Sequence, residues 1–96
     1  MYEIRFHRAV KGDLRRMDKS AVEEFRKEHL PRLKENPHLA KPLTGIFKGL
    51  SSYHFRYKGV KYRAICTIRK DENVLVVIFV GSRENIYDKL RRRMGR

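Results

Sequence analysis

Apolar and polar residues alternate at the start of the chain and then give way to apolar residues at helical spacing. Residues 2–6 alternate strictly, which is typical of a half-buried strand. Val10, Leu14 and Met17 follow at positions i, i+4 and i+7, so they lie on one face of a helix. A second stripe with helical spacing comes next: Val22, Phe25, Leu30 and Leu33. The two stripes predict an α-helical hairpin.

Local signals refine the second helix of this hairpin. Ser20 and Glu23 have the spacing of a capping box, which predicts that the helix begins near Ser20. Pro31 predicts a kink, because proline has no amide proton and its ring clashes with the preceding turn. We therefore expect a capped and bent helix that ends at Asn36-Pro37.

The second half of the chain carries the pattern of a sheet. Residues 36–50 hold several prolines and glycines and predict a loop crossing. Three strands with intervening turns are predicted after it, over residues 53–57, 62–69 and 74–80. The first turn is expected at residues 58–61. Because the run 74–80 is apolar on both faces, it predicts a strand in the middle of the sheet.

A final helix is predicted from Ile86, Leu90 and Met94, which lie at i, i+4 and i+8. The element order is then βααβββα. We predict an α+β fold in which an N-terminal strand, a helical hairpin and a short C-terminal helix accompany a mostly antiparallel sheet of about four strands.

Length and charge narrow the classes of function. The 96 residues make a single domain over residues 1–96, with one modest core and no large enclosed substrate cavity. The chain has 24 Lys and Arg against 11 Asp and Glu, a net charge of +13. Such a charge attracts polyanions, first nucleic acid and then an acidic protein or a membrane surface. It does not distinguish binding from catalysis.

The compartment follows from what the chain lacks. Cys66 is the single cysteine, which excludes an internal disulfide framework and fits a reducing compartment. No apolar run approaches the roughly 18 residues of a membrane span. The first residues have no signal-peptide pattern. We predict a cytoplasmic protein that does not act at a membrane.

Candidate chemistry is concentrated on the predicted sheet and just after it. Residues two apart on a strand share a face, and the turn brings the next strand opposite. We expect one concave basic patch formed by His54, Arg56, Lys58, Arg63, Arg83 and Tyr87. Arg83 and Tyr87 are expected on the same side of the final helix.

Such a patch has the groups for cleaving RNA without a metal ion. Arginines can neutralise the charge that grows on the phosphate. His54 can act as base or acid because imidazole titrates near neutral pH, and surrounding cations favour its neutral form. Tyr87 can stack on a base or orient the phosphate. From spacing alone, a solvated strand face and a rim tyrosine explain the same pattern equally well.

The other charged and metal-binding residue types favour structural interpretations. The run Arg91-Arg92-Arg93 is typical of a solvated helix end. We expect His7, His29 and His38 at the surface. Histidines and Cys66 have no metal-ligand spacing, so neither a metal site nor a cofactor is predicted.

The chain resembles the RelE/ParE superfamily of toxins from prokaryotic toxin–antitoxin pairs. The resemblance covers nearly the whole length. Besides the first strand and the hairpin, it is carried by residues 41–45 (KPLTG), residues 53–63 (YHFRYKGVKYR) and residues 80–87 (VGSRENIY). It implies a compact fold with a sheet core and inhibition by a cognate antitoxin. RelE-like members cut mRNA on the ribosome, whereas ParE-like members poison DNA gyrase.

The resemblance also implies roles for single residues. Arg63 and Arg83 match arginines that RelE-like members place at the scissile phosphate, and Tyr87 matches the tyrosine on the last helix. Arg56 and His54 stand where such members commonly have lysines. The match of Arg63, Arg83 and Tyr87 favours the RelE-like branch, with His54 or Arg56 acting on the 2′-hydroxyl.

The expected function is therefore a toxin that cleaves mRNA at the ribosome by metal-independent attack of the 2′-hydroxyl. Further RNA and ribosomal RNA contacts are expected from basic residues nearby: Lys58, Lys61, Arg91 and Arg92. An acidic amphipathic antitoxin segment is expected to bind Ile86, Leu90 and Met94 and to form a hetero-oligomer. A ParE-like gyrase inhibitor and a non-catalytic RNA-binding remnant are the alternatives.

Overall fold

The computed structural model of the chain describes residues 1–95, so Arg96, the last residue of the predicted domain, lies outside the described residues. Within that range, strands and helices follow one another in the predicted order. The strands are β1 (Glu3–Phe6), β2 (Lys41–Pro42), β3 (Ser51–Tyr57), β4 (Val60–Arg69) and β5 (Val74–Ser82). The helices are α1 (Val10–Arg15), α2 (Lys19–Glu24), α3 (Leu30–Glu35) and α4 (Ile86–Met94). The predicted α+β class is confirmed.

The strands form one sheet in the order β1-β5-β4-β3-β2. β1 pairs with β5 in parallel, and the other neighbours are antiparallel. Within residues 1–95 the sheet thus has five strands where about four were predicted. The additional strand, β2, is a two-residue edge strand in the predicted loop. Its length gives no periodic signal, and its proline is tolerated at an edge because no amide is needed there.

The β3–β4 turn is shorter than predicted. Lys58 and Gly59 alone connect the strands, with φ angles of 48° and 80°. Two central residues with positive φ give the twist that a two-residue hairpin requires. Lys61 consequently lies in β4 rather than in the turn, opposite Arg56. The tight turn sets the register that places His54 opposite Arg63.

The hairpin helices differ from prediction at two points. Asp18, not Ser20, caps α2, since its Oδ1 accepts from the amide of Ser20 at 3.1 Å. The chain enters the helix two residues earlier than predicted, because a carboxylate at residue 18 already satisfies a free amide. The irregularity predicted at Pro31 is a π-helical turn, Phe25–His29, that joins α2 to α3. The widened turn accommodates a proline that donates no hydrogen bond.

Apolar side chains fill both sides of the sheet. On the hairpin side the aromatic rings of Phe25, Phe55 and Tyr62 stack, with centroids 5.4 and 5.3 Å apart. On the α4 side, Ile65 and Leu90 belong to a second buried cluster. β5 lies between β1 and β4 and is buried on both faces, as its apolar run predicted.

His29 is buried, so its expected surface position is wrong. It lies in the π-helical turn and packs against Phe55, at 4.5 Å between ring centroids. Its Nδ1 is 2.6 Å from the hydroxyl of Tyr53. Burial lowers the pKa of His29, and the nearby Arg32 adds to this effect. The sequence pattern missed it because the π-helical turn shifts which residues face the sheet.

Arg93 is likewise not part of a solvated helix end. Its guanidinium donates to both carboxylate oxygens of Asp13 at 2.8 Å and to the carbonyl of Ile78 at 2.9 Å. Asp13 also accepts from the amide of Val80 at 3.2 Å. β1 pairs with β5 only as far as Val77. The ion pair therefore satisfies backbone groups of β5 beyond the end of β1, and it joins α1 to α4.

Candidate functional site

His54 and Arg63 lie opposite each other on β3 and β4. Their neighbours Phe55 and Tyr62 pack into the hairpin-side core, so the alternation of a strand directs His54 and Arg63 to the α4 side. Hydrophobic neighbours thus decide the orientation of the basic residues. This part of the expected patch follows from two strands and one turn.

Arg83 reaches the same place from the other end of the sheet. Its amide donates to the carbonyl of Lys61 at 3.0 Å, which holds the segment after β5 against the start of β4. The resulting hollow has a volume of about 360 Å³ and is named here the basic depression. It is lined by His54, Phe55, Arg56, Lys61, Tyr62, Arg63 and Arg83.

Tyr87 closes a neighbouring hollow of about 680 Å³, which Lys61, Arg63 and Arg83 also line. The Tyr87 hydroxyl accepts a hydrogen bond from Nη1 of Arg63 at 3.0 Å. The guanidinium of Arg63 lies 5.8 Å from the centroid of the tyrosine ring. Tyr87 is 46% exposed, so part of its ring remains open to a ligand.

Phe47 supports this arrangement and was not singled out from the sequence. Its ring stacks on that of Tyr87, with centroids 5.8 Å apart and planes inclined by 23°. It lies in a short 3₁₀ turn, Gly45–Phe47, whose glycine has a φ of 66°. A buried aromatic residue in a segment rich in glycine and proline was the available signal.

The electrostatics of the basic depression favour a neutral imidazole. Partial burial lowers the pKa of His54, and the positive charge of Arg63 lowers it further. Both effects disfavour the imidazolium, so His54 is able to accept a proton at neutral pH. The carboxylate of Glu84 lines the neighbouring hollow and not the basic depression.

Three other basic residues lie apart from the basic depression. Lys58 is in the hairpin turn, and its ammonium lies 5.4 Å from the ring of Tyr57. Arg91 and Arg92 line a separate shallow hollow on α4 with Asp88. The RNA contacts expected from Lys58, Arg91 and Arg92 stay predictions.

Arg83 and Tyr87 do not share a helix face as expected. α4 begins at Ile86, so Arg83 precedes the helix, and Asn85 between them has a left-handed φ of 54°. The two residues nevertheless line the same hollow. Their proximity comes from the chain reversal after β5 and not from helical spacing.

The residues expected to bind an antitoxin are packed inside the protein. Ile86 and Leu90 are buried, and Met94 packs against the same cluster. A partner could contact their side chains only if α4 moved. Antitoxin binding at these residues stays a prediction.

Two further properties concern residues 1–95. No group of three or more His, Cys, Asp and Glu side chains there is arranged to hold a metal ion. No helix of this range has both the length and the apolar character needed to cross a lipid bilayer.

Comparison with known proteins adds a family and several similar structures. The model of a family described as ParE-like toxin of type II bacterial toxin-antitoxin system matches residues 2–91. The RelBE2 toxin–antitoxin complex of Mycobacterium tuberculosis contains a chain with 27% identity and a TM-score of 0.68, over 85% of this chain and 98% of that one. Among curated proteins, none matches this sequence.

Two structures from E. coli are also similar. A chain of the intact RelBE toxin–antitoxin complex has 25% identity and a TM-score of 0.70, over 88% of this chain and 99% of that one. A mutant of toxin RelE in the free state has 23% identity and a TM-score of 0.72, over 97% of each chain. At that identity the free toxin shows a likeness of fold.

Proposed function

Because the chain belongs to the family of ParE-like toxins of type II bacterial toxin–antitoxin systems, we propose that this toxin acts by cleaving mRNA at the ribosome. The superfamily predicted from the sequence is confirmed. The protein is a toxin of a toxin–antitoxin system. Cleavage of mRNA is the activity that the chemistry of its basic depression supports best.

The observation that carries this proposal is the convergence of His54, Arg63 and Arg83 in one depression. These residues come from two strands and from the segment after a third. Fixed guanidinium groups stabilise a pentacoordinate phosphate, which carries more negative charge than the ground state. A neutral imidazole beside them can accept a proton.

The proposed reaction is an attack of the RNA's own 2′-hydroxyl on the adjacent phosphorus. The hydroxyl proton passes to His54, a bond forms between the 2′ oxygen and phosphorus, and the bond from phosphorus to the 5′ oxygen breaks. The products are a 2′,3′-cyclic phosphate and a 5′-hydroxyl. The leaving oxygen takes its proton from water, since arginine, with a pKa above 12, is a poor donor.

The remaining residues would bind and orient the substrate. Arg63 and Arg83 contact the phosphate, and Arg56 is close enough to His54 along β3 to assist at the 2′-hydroxyl. Tyr87, held by its hydrogen bond from Arg63, stacks on a base. An open depression suits RNA that the ribosome already holds in an extended form, and the place of action would be the cytoplasm.

The regulating partner we propose is a cognate antitoxin. Two of the similar structures are toxin–antitoxin complexes, which supports such a partner. An acidic amphipathic segment that reaches Ile86, Leu90 and Met94 would have to displace α4, because these residues are packed in the core. Displacing α4 would carry Tyr87 away from Arg63.

The test is in vitro translation of a defined mRNA, followed by mapping of its cut sites. We expect cleavage by the wild-type toxin and a loss of at least tenfold with Arg63→Ala or Arg83→Ala, since each removes more than about 1.4 kcal/mol of transition-state stabilisation. Arg26→Ala is the matched control, because Arg26 is an exposed arginine on the hairpin. Intact message with the wild-type toxin, or equal cleavage by all variants, would refute the proposal.

Inhibition of DNA gyrase is the second candidate, favoured by the ParE-like description of the matching family. A supercoiling assay with purified gyrase separates the two activities. Loss of supercoiling with intact mRNA would select the gyrase inhibitor. Salt-sensitive RNA binding with neither activity would select a non-catalytic RNA binder.

A further inference from the structure

We infer that a second groove, on the opposite side of the sheet end from the basic depression, binds the phosphodiester backbone of the RNA strand next to the scissile position. The inference rests on the proposed function. The groove runs between α1 and α4 over the end of β4 and β5, and it is named here the α1–α4 groove. Its volume is about 590 Å³.

The rim of the α1–α4 groove is basic. Arg16 lies on the α1 side, and Lys89 and Arg92 lie on α4. All three are exposed, and 77% of the Arg16 side chain is open to solvent. Three exposed cations around one groove are suited to bind successive phosphates of a flexible strand.

The two carboxylates of the groove are already occupied. Asp13 forms the buried ion pair with Arg93. Asp18 accepts from the amide and the hydroxyl of Ser20 at 3.1 and 3.2 Å as the cap of α2. Their charge is therefore partly compensated within the fold, and the rim cations remain available for an external anion.

The α1–α4 groove is continuous with the candidate site. Val60 and Ser82 line both the groove and the hollow that holds Tyr87. Tyr62 lines both the groove and the basic depression. A strand that leaves the candidate site over Val60 and Ser82 therefore enters the groove directly.

The floor of the groove fits the other half of a nucleotide. It is formed partly by Val60, which is 43% exposed, and by the aromatic side chains of Tyr62 and Phe79. A base can lie on such a surface while its phosphate meets the cationic rim. An acidic peptide could use the same chemistry, but continuity with the candidate site favours the RNA strand.

The salt dependence of RNA binding tests this inference. The probe is a short single-stranded RNA with methylated 2′-hydroxyls, which cannot be cleaved by the proposed reaction. Each phosphate contact contributes about 0.7 to the slope of log K against log salt concentration. The triple variant Arg16→Gln/Lys89→Gln/Arg92→Gln should reduce the magnitude of that slope by about 2.

A matched triple variant removes the same charge elsewhere. Arg26→Gln/Lys27→Gln/Lys34→Gln changes exposed residues on the hairpin and should leave the slope near that of wild type. Equal changes in both triple variants would show that only net charge matters and would overturn the inference. An unchanged slope in the groove variant would overturn it as well.

Further outcomes separate this inference from the proposed function. If the wild type cleaves ribosome-bound mRNA but the groove variant keeps the full slope, the groove assignment fails and the cleavage proposal stands. If the slope falls as expected but no variant or wild type cleaves, the cleavage proposal fails alone. Binding of an acidic amphipathic peptide that depends on the groove cations, without RNA binding there, would assign the groove to a protein partner and overturn the inference.

Discussion

The ion pair between Asp13 and Arg93 determines how firmly α4, and with it Tyr87, is attached to the sheet. Asp13→Asn keeps the size of the side chain and an oxygen for the amide of Val80, but it removes the charge that faces the guanidinium. Breaking a buried ion pair from one side costs about 3–5 kcal/mol. Because 15% of the Arg93 side chain is exposed, water partly solvates the unpaired charge, and we expect about 3 kcal/mol.

That loss is large for a domain of this size, whose free energy of unfolding is expected to be about 5–14 kcal/mol. Urea unfolding followed by far-UV circular dichroism measures it, and an unchanged m value shows that the unfolding transition is the same. Lys27→Gln is the control, because it breaks an exposed ion pair with Glu23 at 3.7 Å. It should change stability by no more than about 0.5 kcal/mol.

A second substitution distinguishes an unpaired charge from lost packing. Asp13→Asn/Arg93→Met removes both charges, so the double variant should be more stable than the sum of the single effects predicts, by about 2 kcal/mol. If Asp13→Asn costs no more than Lys27→Gln, or if the two substitutions are simply additive, the ion pair does not hold α4 as argued here.

Three further predictions concern the aromatic support of the site and two histidines. Phe47→Leu stays apolar but removes the ring stacked on Tyr87, so we expect mRNA cleavage to fall up to about tenfold, as measured in the translation assay, with no further effect in a Tyr87→Ala background. The pKa of His54 should lie below its ordinary value and rise toward that value in Arg63→Gln, which NMR titration of the imidazole ring can follow; a lower pKa in the variant would contradict the assigned effect of Arg63. Burial lowers the pKa of His29, so the unfolded state takes up its proton first as the pH falls below the model-peptide value of about 6.5. The free energy of unfolding should therefore decrease from neutral pH to about pH 5, and His29→Gln should weaken that dependence more than it does in a His54→Gln background alone; a pH-independent stability in the wild type would rule this out.

Much of the fold could be predicted because neighbouring residues carry its signals. The run 74–80 has no polar face, and a strand without a polar face has to be covered on both sides, which is where β5 lies. The alternation of Tyr53 and Phe55 with His54 and Arg56 likewise decides which side chains enter the core. Spacing along one element was sufficient in both cases.

Contacts between distant parts of the chain could not be predicted in this way. Arg91, Arg92 and Arg93 look alike in sequence, yet only Arg93 of these three forms an ion pair with Asp13 within the described residues, because the backbone of β5 is left open beyond β1 at that level. His29 became buried through a π-helical turn that shifts the helical spacing. Phe47 reached Tyr87 through a glycine turn with no periodicity.

The sequence by itself determined which residues are basic, which strand faces they occupy and that the chain resembles a toxin family. Only the tertiary structure decided that Arg63 and Arg83 line one depression, because that depends on the register set by Lys58 and Gly59 and on the hydrogen bond from Arg83 to Lys61. Local periodicity states the direction of a side chain from its own element. The distance between two elements is set by packing and hydrogen bonds that involve residues far apart in the chain.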